Sequence, residues 1–307
     1  MSSFIAAHQL GAFYFLALLI SWVTWLVSPN LSAGDQYAPL VFTCIGAFGP
    51  ALASILVSHA ARPERLTARS LKRWGVFAAV FLAVDLIWLF SADKYGPFNL
   101  RSPVLFISKH VLAALVALVI SGPLSRTQGV RELLLPLTTW RVRPTWYFVA
   151  VAAIPLLIAL AIIAAAWLGA PLPIPHRAAG GQSWHVLLAG FPLAYLQTML
   201  FQGPLNEEPG WRGFALPRLQ KMCGPILASI ILGAAWGLWH APLYLTGVFS
   251  GGVQAMIGRA LWTIPLAFLL TWVYNHTQGS LLISVLVHTS VNLQGDISAL
   301  VLSALAR

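Results

Sequence analysis

The sequence predicts an all-α fold, a polytopic transmembrane helical bundle of about eight helices, and three observations carry that prediction. First, the chain of 307 residues is 59% hydrophobic and only 8% charged, where soluble domains carry about 25% charged residues. Second, apolar segments recur at roughly 11–28, 39–59, 75–92, 103–121, 146–169, 185–203, 222–243, 259–275 and 280–300. Each is near the ~20 residues that a helix needs to cross the hydrocarbon core. Eight or nine spans result, depending on how the last three segments are counted. Third, the basic residues collect in alternate loops, as membrane proteins arrange them. The mean hydropathy of +0.80 agrees. No repeat of fixed period is visible, so residues 1–307 read as a single membrane domain.

Taken in order, the first segment has no positive stretch before it. It is therefore expected to stay as a membrane helix rather than be cleaved as a signal peptide. The second carries Cys44, which, like Cys223 later, is expected to pack as a small apolar residue. Loop 60–74 follows, with Arg62, Arg65, Arg69, Lys72 and Arg73, a topogenic run suited to anionic headgroups. Asp85 lies inside the third segment, where an acid either serves a function or bonds a neighbouring helix. Loop 122–145 holds Arg126, Arg131, Arg141 and Arg143, and loop 204–221 holds Arg212, Arg218 and Lys221. The intervening loops 29–38, 93–102 and 170–184 are poor in basic residues. The rich loops and the N-terminus are thus predicted to be cytoplasmic, in a cell membrane. Loop 170–184, rich in Pro and Gly, is expected to be irregular and external. Trp74, Trp140, Trp146 and Trp184 near segment ends suit interfacial anchoring. Gly233 and Gly237, four apart in an apolar segment, suit close helix packing. The net charge of +10 is explained by these loops, so nucleic acid is not expected as a partner; the lipid bilayer is.

The chemistry collects in the last third. Asn206-Glu207-Glu208-Pro209-Gly210-Trp211-Arg212-Gly213 holds two of only eight acidic residues, flanked by apolar segments where carboxylates are expensive. Glu208 and Arg212, four apart, fall on one helical face and can pair. Glu207 then points elsewhere and is free for chemistry. His240 closes Trp236-Gly237-Leu238-Trp239-His240. His288 and Asn292, again four apart, share a face of the last segment. Packed helices can gather such groups in one polar pocket facing away from lipid. A carboxylate partly removed from water suits a general base that takes a proton from water. Histidine can hold that water or ligate a metal. Asparagine and histidine can donate to a developing oxyanion, where one donor is worth about 2.7–4 kcal/mol of barrier. These are parts for hydrolysing an amide bond. No Ser or Cys nucleophile beside a base is apparent, and the H-E-x-x-H signature is absent.

These pieces together resemble the CPBP family (CAAX proteases and bacteriocin-processing proteins, also called ABI or type II CAAX proteases). Its E-E-x-x-x-R motif is matched by Glu207-Glu208-Pro209-Gly210-Trp211-Arg212, in a longer variant, through Pro217, that resembles a bacterial form. Its F-x-x-x-H motif is matched by His240 with Trp236 in the aromatic place. Its H-x-x-x-N motif is matched by His288 and Asn292. The resemblance covers about 204–295 and leaves the first 200 residues with general membrane character only. It implies residues 185–300 as a catalytic core behind N-terminal helices 1–184. It implies that Glu207 activates water with help from His240, that His288 and Asn292 stabilise the oxyanion, and that Glu208 and Arg212 support the motif. It implies a membrane-associated peptide or protein as substrate. Glu207, His240 and His288 would make three ligands, which with a water suit catalytic zinc; metal and metal-free routes both remain open. A membrane scaffold or immunity protein of the same fold is the alternative, and a carboxylate–histidine transporter a third, against which the lack of repeat symmetry counts.

Two expectations concern geometry. Pro209 disfavours helix at Glu208, so a helix beginning at Pro209, with the glutamates at its N-terminal end, is expected. A straight helix from Lys221 would carry His240 roughly 28 Å away from that face, so a kinked or buried motif helix is needed to reach Glu207.

Overall fold

A computed structural model describes residues 7–31, 38–66, 70–90, 103–170 and 184–305. The expected loop 170–184 and most of loops 29–38 and 93–102 lie outside them. Among the described residues there is no strand, and every apolar segment expected above is helical. The helices are α1 (Gln9–Leu31), α2 (Ala38–Ala47), α3 (Gly49–Ala61), α4 (Ser70–Phe90), α5 (Pro103–Ser121), α6 (Gln128–Leu134) and α7 (Pro144–Trp167). After these come α8 (Trp184–Phe201), α9 (Pro204–Glu208), α10 (Leu216–Trp239), α11 (Ala241–Leu245), α12 (Gly252–His276), α13 (Leu281–Asn292) and α14 (Gln294–Leu305).

Among the described residues, six helical stretches are long and apolar enough to cross a membrane, or seven if the bent pair α13–α14 is one span. The expected eight or nine is reduced for two reasons. Expected segments 185–203 and 222–243 fall within one helical run, Trp184–Leu245, and α4 falls outside the qualifying set. The chain is a multi-pass membrane protein. Its outer faces agree: Phe15, Leu19, Leu156, Leu157, Leu160 and Trp262 are exposed on the bundle's outside, a surface that lipid, not water, would cover. Inside, one hydrophobic core runs from Phe13 on α1 to Val287 on α13 and includes Trp25, Trp211, Trp239 and Phe214.

Several local expectations are met. Cys44 and Cys223 are both free thiols. Asp85 on α4 bonds its neighbour, reaching Lys109 Nζ at 3.7 Å and His110 Nε2 at 3.3 Å on α5. Gly233 and Gly237 let α12 approach α10 closely. Thr263 Oγ1 donates to the Gly233 carbonyl at 2.9 Å. A methyl group on Gly237 would sit 2.4 Å from Ala260 Cα. Gly237→Leu is therefore expected to separate these helices and cost about 1–3 kcal/mol, read as a lower denaturation midpoint in detergent.

The basic stretches meet at one end of the bundle. Leu66 N–H donates to the Arg126 carbonyl at 2.7 Å and Gln128 N–H to the Glu64 carbonyl at 3.0 Å. Arg218 reaches Gln9 at the start of α1. The stretch 204–221, however, is no loop. It is helical, and Pro204 through Arg212 are all buried. Within it, Glu208 and Arg212 are tolerated inside because they neutralise each other.

Candidate active site

The motif stretch is built on a turn. α8 ends at Phe201, and Gly203 takes φ 114°, ψ −56°, a conformation that a residue with a Cβ adopts only under strain. The Asn206 side chain clasps the turn, accepting from Gly203 N–H at 3.2 Å and donating to the Phe201 carbonyl at 3.4 Å. Pro204 opens α9 as its first residue, where its missing N–H is harmless. The helix does not begin at Pro209. Pro209 is itself helical (φ −57°, ψ −37°), and the chain passes through it into a π-helical turn, Pro209–Ala215. Proline offers no N–H to the α ladder, and the wider turn that follows is a form common at functional sites.

The depth problem is solved by a reversal. Glu207 and Trp236 are 29 residues apart, yet the Trp236 indole Nε1 donates to Glu207 Oε2 at 2.5 Å. A straight helix would separate them by roughly 43 Å. The break lies at Gly224 (φ 74°, ψ 171°), followed by Pro225, and the chain folds back there. Trp211 accordingly meets Trp239 edge to face, with centroids 5.8 Å apart.

Around Trp236 the predicted residues converge. Glu208 and Arg212 pair as the spacing requires: Arg212 Nη1 donates to Glu208 Oε1 at 2.9 Å, and both side chains are 0% exposed. The same oxygen lies 2.8 Å from His288 Nδ1. The Arg212 guanidinium lies over the Trp236 ring at 4.5 Å. The rings of His288 and His240 lie 5.2 and 6.4 Å from that of Trp236. His240 Nδ1 lies 2.8 Å from the Trp236 carbonyl. A carbonyl only accepts, so Nδ1 carries a proton and Nε2 is the basic nitrogen of the neutral ring.

Glu207 differs from its neighbour. It is 4% exposed, and its hydrogen-bond donor is the neutral Trp236 indole rather than a cation. A methyl group on Gly203 would come within 2.6 Å of Glu207 Oε1 and 3.1 Å of Asn292 Nδ2, so both face the same small space beside Gly203. Asn292 also donates to the Gln202 carbonyl at 2.8 Å and, unlike the other predicted residues, is exposed. It stands at the mouth of the site rather than inside it. Gly203→Ala is expected to cost about 1–3 kcal/mol in backbone strain and to push Glu207 and Asn292 apart. The check is thermal stability beside cleavage rate, with the rate falling more than stability explains.

The expected zinc ligands are Glu207, His240 and His288. Among the described residues, no group of three or more His, Cys, Asp and Glu side chains is placed to hold a metal ion. Glu207 Oε2 is taken by an indole and His288 Nδ1 lies against Glu208. An ion would have the other Glu207 oxygen and the Nε2 atoms of His240 and His288 to use, since Nδ1 held by a carbonyl or carboxylate is usual in metal-bound histidine; no step below runs through a metal.

Two functional contacts go beyond the motif pattern. Trp236 fills the motif's aromatic place, but an indole N–H inside an apolar helix also needs an acceptor. Gly203 lies outside the motifs, and the Gly203-Pro204 pair is a turn signal.

Residues 189–294 match the family model for type II CAAX prenyl endopeptidase Rce1-like proteins. A relative, CAAX prenyl protease 2 of the archaeon Methanococcus maripaludis, is 30% identical over 100 residues, or 31% of this chain and 37% of the relative. The chain thus spans little more than a third of the relative it matches. Residues 189–294 contain Glu207, Glu208, Arg212, Trp236, His240, His288 and Asn292, and over that stretch the chain is similar to the CAAX/CPBP family of proteases.

Proposed function

We propose that this protein is a membrane-embedded endopeptidase in which Glu207 activates the water that cleaves a peptide bond of a membrane-associated peptide or protein. The observation that carries this reading is the inequality of the two glutamates. Glu208 is spent on Arg212 and His288, whereas Glu207 is buried beside it with a neutral indole as its donor. A carboxylate so placed keeps its basicity and has an oxygen free for a water proton.

In the reaction, Glu207 takes a proton from water as the oxygen attacks the scissile carbonyl. His240, with Nδ1 committed to a backbone carbonyl, offers Nε2 to the same water. The negative charge that forms on the carbonyl oxygen is met by the free N–H of Asn292 and by His288 when its ring carries both protons. Glu208 orients that ring from its Nδ1 edge. Glu207 then returns its proton to the leaving nitrogen, the C–N bond breaks, and a carboxylic acid and an amine result. Arg212 holds Glu208 in place and takes no part in the proton transfers. The end of the bundle bearing Arg62, Arg65, Arg126 and Arg218 faces the cytoplasm, by its basic excess.

The test is cleavage of a quenched fluorescent library of membrane peptides by the purified protein in detergent, with products identified by mass. Folded protein that cuts no peptide would return the weight to a scaffold. Within this reading, Trp236→Phe keeps the ring and removes the indole donor. It is expected to lower kcat by about 10–100-fold, in line with loss of a group that orients a catalytic base, while KM and the denaturation midpoint stay close to wild type.

A further inference from the structure

At the end of the bundle where the basic stretches meet lies a partly enclosed cavity of about 260 Å³. Its walls include Gln9, Arg62, Gly129, Glu132, Gly213 and Arg218, drawn from α1, α6, the chain after α3 and the motif helix. None of these was assigned a part in peptide hydrolysis.

Arg218 is pre-set. Its guanidinium lies over the Phe214 ring at 3.6 Å. Nε and Nη2 donate to Gln9 Oε1 at 3.0 and 2.9 Å, and Nη1 donates to the Phe214 carbonyl at 2.9 Å. A guanidinium has five N–H groups, so two stay available on a side chain whose orientation is already fixed. Arg62 also lines the cavity, with Nη1 2.6 Å from Glu132 Oε2. The other Glu132 oxygen accepts from Gln128 Nε2 at 2.8 Å. The cavity lining thus holds two guanidinium groups and one carboxylate, which pairs with Arg62. The strands of chain around them, 62–66 and 125–132, add Arg65, Arg126 and Arg131 against Glu64 alone, and backbone hydrogen bonds tie the two together.

A cavity with one fixed arginine fork, a second arginine beside it and a positive excess suits an oxyanion with several acceptor oxygens. Guanidinium groups match phosphate best, by paired N–H donation. We propose that this cavity binds a phosphate group, carried by an anionic lipid headgroup or free as inorganic phosphate. The incoming phosphate takes Arg62 over from Glu132 and completes the donor set of Arg218. Glu132 is accordingly a competitor for the site, and its charge opposes the ligand.

The test follows thermal unfolding of the purified full chain in neutral detergent, at constant ionic strength, with phosphatidylglycerol, phosphatidylcholine or inorganic phosphate. Phosphatidylglycerol or phosphate is expected to raise the Tm by a few degrees, as ligands of the folded state do, and phosphatidylcholine or added chloride to leave it unchanged. A rise with phosphatidylglycerol only identifies the ligand as a lipid headgroup; an equal rise with inorganic phosphate identifies it as free phosphate. Arg218→Gln should weaken binding about tenfold and Arg218→Lys less, since a lysine keeps the charge but not the fork. Glu132→Gln should tighten it about threefold by removing the like charge. No Tm rise above the controls in wild type, or equal binding by Arg218→Gln, overturns the proposal. Should Arg218→Gln fail to fold, unchanged binding by Glu132→Gln overturns it. Cleavage is not the readout, so failure of the protease reading leaves this result intact.

Discussion

Glu207→Gln is expected to abolish peptide cleavage, with a loss of at least about 10³-fold in kcat, while the protein folds and unfolds much as wild type does. Glutamine has nearly the shape of glutamate and can still accept from Trp236 Nε1, the side chain that donates to this carboxylate. What it cannot do is take a proton from water. General-base catalysis by a positioned side chain is worth about 10²–10⁴-fold, and here the same group also returns the proton to the leaving nitrogen, so both steps suffer. The measurement is kcat and KM on whichever library peptide the wild type cuts, beside a denaturation curve in the same detergent. An unchanged KM with a lost kcat identifies a group that acts in the transition state. A variant that keeps a tenth or more of wild-type turnover would remove Glu207 from the reaction and leave His240 as the base to examine. Glu208→Gln makes the contrast sharper. It is expected to harm stability as well as rate, because it strips Arg212 of its counter-charge in a fully buried place.

The residues that were legible in the sequence are those joined by short helical spacing. Glu208 and Arg212 pair as four-apart residues must, and the break expected at Pro209 does not prevent it. The spacing rule held because the local turn widened instead of ending. Gly233 and Gly237 were legible for the same reason, since a stripe of small residues has one physical use inside an apolar helix. Contacts across long stretches were not legible. Nothing in the run from Glu207 to Trp236 says that the chain reverses, because a Gly-Pro pair at 224–225 is compatible with a kink, a loop or a turn. Without that reversal the indole of Trp236 has no visible acceptor and His240 stays far from the glutamates. The basic-residue count makes 204–221 look like a loop, because it treats each charge as lying in water. Inside the protein, Arg212 and Glu208 answer each other, and the count of charges in a window cannot reveal that.

That mutual neutralisation leads to the largest expected effect on stability. Arg212 and Glu208 are both fully buried, and Arg212 also lies over the Trp236 ring. Arg212→Met leaves the Glu208 carboxylate inside the bundle with His288 as its remaining partner. Removing one member of a buried pair typically costs about 3–5 kcal/mol, and the loss here falls at the upper end because the cation–π contact goes too. The Nε and Nη2 atoms of Arg212 have no hydrogen-bond partner, so the pair is not optimal for stability, and replacing both members by apolar residues should recover much of the loss. Arg212→Met with Glu208→Met is therefore expected to be more stable than Arg212→Met alone, by about 1–4 kcal/mol. It should still be inactive, because His288 has lost the group that orients it. A double-mutant cycle measured by denaturation in detergent decides the matter. If the two single losses simply add in the double variant, the charges are not coupled, and the motif owes its position to packing. If the double variant regains stability without activity, the ion pair serves to position His288, and its cost in stability is the consequence of the chemistry it supports.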